Sequence, residues 1–149
     1  MTKLAGLQNT TMKYFHHTIR ILTGLLFLAI FFSKFGFLPS AVNTPEMFTL
    51  EGFAFISAIN ATGYLFPIIG IVSLLCGLAF LANRYVALAA VILMPITVNF
   101  ALFHLFLGFP IHSIFSFFFI REVVPFVFLA LNVYMLYSER KKYAVLLKP

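Results

Sequence analysis

Six polar residues in the apolar surroundings of this chain have side chains able to donate, accept or hold charge. In ITVNFALFHLFLG, residues 96–108, Thr97, Asn99 and His104 interrupt an otherwise apolar run. Lys34, Arg121 and Glu122 flank similar runs elsewhere. An imidazole titrates near neutrality and an amide both donates and accepts, so such a set suits a small ligand carrying a carbonyl or a labile proton. His104 and Asn99 would hydrogen-bond the ligand, Lys34 or Arg121 would stabilise negative charge on it, and the 21 phenylalanines supply an apolar lining. Polar groups at membrane depth also serve as bonds between helices, and that alternative stands for Asn99, Asn132 and His104.

Other chemistries are poorly served. The chain has four acidic residues, all Glu, and no Ser–His–Asp set, phosphate-cradling glycine loop or carboxylate dyad, so no self-contained catalytic motif is present. Cys76 is the single cysteine, which rules out an internal disulfide or a dithiol redox pair. His16 and His17 lie at one end of the first apolar segment and His112 in a loop, leaving His104 without an obvious second axial ligand; haem and metal are disfavoured. The net charge of +6 is spread between uncharged segments and does not form a nucleic-acid patch.

The elements that must position these residues are helices. With 62% hydrophobic and 9% charged residues in 149, one soluble domain could not hide its apolar surface. The chain reads as a single all-α domain, 1–149, an integral membrane four-helix up-down bundle. The helices are expected at about 14–37, 61–82, 85–107 and 114–138, each near the roughly 20 residues that a bilayer requires. No small-x-small cleavage site follows the first segment, which therefore reads as an uncleaved helix. Arg20 and Lys34 bracket its 13 uncharged positions, and both side chains are expected to snorkel outward. Asn83 and Arg84 alone separate the second and third segments, predicting a tight hairpin.

The loop after the first helix predicts a short interfacial helix over 45–58, with Thr44 as its cap, Pro45 in its first position and Glu46 at the positive end of its dipole. In the second helix Gly63, Gly70 and Gly77 recur every seven residues, with Ser73 four before Gly77. That stripe predicts close helix packing, to which Asn132 on the fourth helix adds a polar bond.

Depth and face then sort the polar set. At 1.5 Å per residue from Tyr85, Asn99 lies about 21 Å and His104 about 28 Å along the third helix, and Lys34 is about 21 Å from Arg20. Lys34, Asn99, His104, Arg121 and Glu122 are therefore expected at one end, roofed by the loop helix. Thr97, Ala101, His104 and Gly108 share one small, partly polar stripe, the expected inward face. Pro95 cannot donate to the carbonyl of Val91, for which the Thr97 hydroxyl is a candidate partner. Eight of the ten Lys and Arg residues fall at the N-terminus, the hairpin turn and the C-terminal tail, which predicts that both termini are cytoplasmic.

RILTGLLFLAIFFSKFGFLP, ATGYLFPIIGIVSLLCGLAFL, MPITVNFALFHLFL and LNVYMLYSERKKYAVLLKP, in this order and spacing, resemble the DoxX family of small four-helix membrane proteins. VNFALFHLFL is the most specific portion. Where relatives often carry a Glu in the second helix, this chain has Ser73 within IVSLLCG, which removes a carboxylate that a proton relay would use. The resemblance implies a multi-pass protein of the bacterial inner membrane and a membrane subunit or adaptor of a redox system, with redox proteins as partners and a quinone as possible ligand. A non-catalytic scaffold or assembly factor, or a small transporter, are the rival readings.

Overall fold

The computed structural model describes residues 2–36, 48–108 and 118–146. All regular structure among them is helical: α1 (Thr2–Lys34), α2 (Leu50–Ala61), α3 (Leu65–Leu81), α4 (Val86–Phe106), α5 (Phe118–Ser138) and α6 (Arg140–Leu146). Two stretches, Met12–Lys34 of α1 and Val86–Phe106 of α4, are long and apolar enough to cross a membrane. The α2–α3 pair meets the same criterion only when taken together, and it is bent by 82°.

α1 starts 12 residues earlier than the apolar pattern indicates, at Thr2 and not at position 14. The polar stretch before Met12 has no proline and consists largely of tolerable helix formers, so nothing stops the helix where the apolar run ends. The loop helix also differs from expectation. Thr44, Pro45 and Glu46 lie outside the described residues, and the described helix opens at Leu50 with Thr49 as its cap. The Thr49 hydroxyl accepts from the Gly52 N–H at 3.0 Å and donates to the Leu107 carbonyl at 2.6 Å. It thus closes the start of α2 and one orphan carbonyl at the end of α4 with a single group.

Gly52 is buried beneath this cap, where a Cβ would collide with the Leu107 carbonyl oxygen and lie 3.0 Å from Thr49 Oγ1. Backbone cannot yield as a flexible side chain does. Gly52→Ala is therefore expected to cost about 1–3 kcal/mol of local docking and to accelerate amide exchange across 50–61 by about ten- to a hundredfold, with α5 unaffected.

The break between α2 and α3 falls at 62–64, where Gly63 adopts φ +72°, a left-handed conformation that costs glycine little. Gly63 therefore lies in a turn, with open space where its Cβ would be, and does not belong to a packing stripe on α3. Gly70, Ser73 and Gly77 do lie on α3 and are buried.

The α3–α4 connection is the tight turn the sequence predicts. Asn83 and Tyr85 take positive φ, and the Arg84 and Asn83 N–H groups satisfy the Ala79 and Phe80 carbonyls of the last turn of α3. α1 packs most extensively on α3 and α4 on α5; α3 also meets α4, and α1 meets α5. Phe27 joins three helices, its ring lying 6.3 Å from that of Phe80 and 5.3 Å from that of Phe128. The core around it is Cys76, Val86, Ala89, Ala90, Leu93 and Met135.

α6 docks on the first turn of α4 through the Tyr143 hydroxyl, which donates to the Ala87 carbonyl at 2.8 Å. Burial, and then the Glu139 carboxylate, raise the phenol above its ordinary value. Only the neutral phenol donates, and its folded value exceeds the unfolded one. The contact is therefore complete below the unfolded value of about 10 and is lost as pH rises through the folded value. A spin label attached through Lys141→Cys is expected to gain mobility above about pH 10. In a Tyr143→Phe background it should be mobile already at pH 8.

Candidate functional site

The small-residue face of α4 is built as its spacing predicts. Thr97, Ala101, His104 and Gly108 are all buried, at intervals of three and four residues that keep them on one side of the helix. His104 is 5% exposed, and its imidazole meets the Phe100 and Phe103 rings edge-on at 4.9 and 5.2 Å between centroids. Phe103 in turn stacks on Phe55 at 5.7 Å and approaches Phe48 at 5.9 Å, so an aromatic layer links the end of α4 to α2.

Among the described side chains of the expected polar set, Asn99 and Lys34 are directed elsewhere. Asn99 is exposed on the opposite side of α4, with no hydrogen-bond partner among the described residues. Lys34, at the end of α1, places its ammonium 4.1 Å from the centre of the Phe66 ring at the start of α3, a cation–π contact. Gly70 clears the space beside it, since a Cβ there would lie 2.9 Å from the Phe35 ring and 3.3 Å from Lys34 Cβ. Arg121 and Glu122 are in the first turns of α5, and their side chains lie outside the described residues.

Thr97 is engaged within the protein. Its hydroxyl is 3.1 Å from the Leu93 and Met94 carbonyls, not on the Val91 carbonyl that Pro95 leaves without its usual donor. It accepts in turn from the Asn132 amide at 3.2 Å, and that same amide nitrogen lies 3.7 Å from Met94 Sδ. Asn132 is fully buried on α5, and among the described residues neither its Oδ1 nor the equally buried Ser73 hydroxyl of α3 has a partner.

This imbalance gives a test of the α4–α5 bond. Thr97→Val leaves the Asn132 amide with only its weak contact to Met94 Sδ and is expected to cost about 1–2 kcal/mol. Asn132→Leu removes an already unsatisfied oxygen as well and should cost less. In an unfolding titration in mixed micelles the double variant should be more stable than the sum of the two single losses.

The residue that composition alone misplaces is Arg20. It does not snorkel: it is 3% exposed and held between α1 and α3. One guanidinium nitrogen donates to the Phe80 carbonyl and lies 3.4 Å from that of Leu81, and another is 2.9 Å from His17 Nδ1. α3 carries no basic residue in its last turn, so its terminal carbonyls and the negative end of its dipole receive their cation from a neighbouring helix. That missing cation is the one signal in the sequence that points to the contact.

Among the described residues no three of His, Cys, Asp and Glu come together in a metal-holding group. A quinone needs a donor aimed at its carbonyl from an apolar slot. Thr97 bonds to its own bundle, Asn99 is on the other face and Lys34 caps a phenyl ring, so of the candidates whose side chains are described only His104 retains a suitable setting. Compared with known proteins, the chain matches no family model, no curated protein and no solved structure at a significant level.

Proposed function

We propose that this chain is a four-span, DoxX-like protein of the bacterial inner membrane, with both termini cytoplasmic, serving as a non-catalytic membrane subunit or adaptor of a redox system. The observation that carries the reading is the use made of its buried polar groups. Arg20 binds α3 carbonyls and Asn132 binds Thr97, so two of the buried polar side chains join helices to one another. A scaffold needs a rigid bundle that presents its outer faces; an enzyme needs free groups converging on a slot.

α1 and α4 provide two of the spans. α3, at 17 residues, covers about 26 Å and the apolar part of α5, Val123–Ser138, about 24 Å, close to the hydrocarbon thickness of about 30 Å. The sharp bend between α2 and α3 is compatible with α2 lying along the membrane surface.

Binding of a quinone at His104 is a second reading, favoured by the Phe100, Phe103, Phe55 and Phe48 layer around that imidazole. Thermal unfolding in nanodiscs, with and without added ubiquinone or menaquinone, separates the two. The scaffold reading expects no quinone-dependent change in Tm for wild type or His104→Ala. A rise in wild type that His104→Ala abolishes would replace it with the quinone reading.

A further inference from the structure

α4 presents a second ordered face, opposite the one that packs into the protein. Leu88, Ile92, Pro95, Asn99, Leu102 and Phe106 are separated by four, three, four, three and four residues, and all six are exposed. This spacing is the 3.5-residue repeat of a coiled-coil seam, in which Asn99 occupies an a position. Any exposed helical face shows such intervals and its apolar side chains suit lipid, but an amide within it does not. Asn99 is seven residues from the end of α4, about 10 Å inside the span, too deep for its short side chain to reach an interface. Left in hydrocarbon, its donor and acceptor groups would both be unpaired, at a cost that a bonded partner removes.

We propose that this face is the contact between two copies of the chain, with α4 packed against α4 and Asn99 hydrogen-bonded to the same residue of the second copy. Two copies inserted in one membrane have the same orientation, so a two-fold axis along the membrane normal sets their α4 helices parallel. Parallel helices in this register bring each a position opposite itself, and an amide complements an identical amide because it offers both a donor and an acceptor. An apolar partner would leave Asn99 unsatisfied, whereas a second copy satisfies two such groups at once. Leu88, Ile92, Leu102 and Phe106 add apolar contact above and below. The inference needs α4 to cross the membrane and is independent of any redox role.

The wild-type chain suits the test because its single cysteine, Cys76, is buried. Ile92→Cys and Leu102→Cys are expected to form disulfide-linked dimers when oxidised in native membranes. Leu22→Cys and Leu25→Cys, on exposed positions of α1, should not. Förster transfer between labelled copies diluted in vesicles is expected to show a dimer that Asn99→Leu weakens about three- to tenfold, while Asn99→Gln retains it. Helical circular dichroism and Tm should be unchanged in both variants, since Asn99 is exposed and has no hydrogen-bond partner among the described residues of its own chain. Monomers at every dilution overturn the inference, whether lipid or another protein then covers the face. Crosslinking no stronger at Ile92 and Leu102 than on α1, or a dimer indifferent to Asn99→Leu, overturns it equally.

Discussion

Replacing Arg20 by alanine is expected to destabilise the fold by about 3 kcal/mol, among the largest effects of any single polar substitution in the chain. The variant loses the guanidinium donor to the Phe80 and Leu81 carbonyls together, leaving Phe80 only the backbone N–H groups of the turn that follows α3. It also removes the positive charge that faces the helix dipole there. A buried Arg–carboxylate pair can often be exchanged for apolar residues at little cost, because two desolvated charges leave together. Here the acceptors are backbone carbonyls and remain behind. Arg20→Lys should recover less than half of the loss, since an ammonium cannot reach the carbonyls and His17 Nδ1 in one planar fork. His17→Ala removes only the last contact and should cost under about 1 kcal/mol. Denaturant unfolding of the four proteins in mixed micelles measures the series. An Arg20→Ala variant as stable as wild type would mean that the end of α3 is satisfied by other means. Because the site is buried, the loss should persist at high salt.

The second large effect is expected where α1 crosses α3. A Cβ on Gly24 would lie 2.9 Å from Leu81 Cγ and 3.0 Å from the Gly77 carbonyl oxygen; a Cβ on Gly77 would lie 3.0 Å from the Gly24 oxygen and 3.2 Å from Leu28. The two glycines are therefore the two halves of one close approach, each leaving room for the backbone of the other. Gly24→Val and Gly77→Val should each cost about 2–3 kcal/mol, because the helices must separate and the contacts of Phe27 with Phe80 loosen with them. Once they have separated, the second substitution meets no further obstacle. The double variant should consequently lose clearly less than the sum, a coupling of about 1 kcal/mol or more in a double-mutant cycle. Strict additivity would show that the two positions are strained independently. Gly63→Ala is the contrast: it meets no neighbour, and its penalty is limited to the strain of positive φ, about 1 kcal/mol.

Much of the architecture is legible locally. The apolar runs predict the helices of α1, α3, α4 and α5; Asn83 and Arg84 predict the hairpin turn; and the spacing of Thr97, Ala101, His104 and Gly108 predicts the buried face of α4. The ends of elements are less legible. Thr44 and Thr49 have equal claims as caps by type. Thr49 closes the described helix because the Leu107 carbonyl, 58 residues away, is within reach of its hydroxyl. Gly63, in register with Gly70 and Gly77, belongs to a turn because periodicity counts residues and not their φ angles.

The candidate site divides in the same way. Composition and spacing were enough to establish that the chain is helical, that α1 and α4 can cross a membrane, and that each polar group within an apolar helix requires a partner. Which partner it meets was decided by tertiary structure. Arg20 turned inward to α3, Asn132 chose Thr97, Gly24 emerged as the counterpart of Gly77, and Asn99 faced away from the protein while His104 was enclosed by phenylalanines. The physical reason is one of range. Hydrophobicity and helical period act over a few neighbouring residues, whereas the partner of a buried polar group depends on the rotation, depth and crossing of helices from distant parts of the chain.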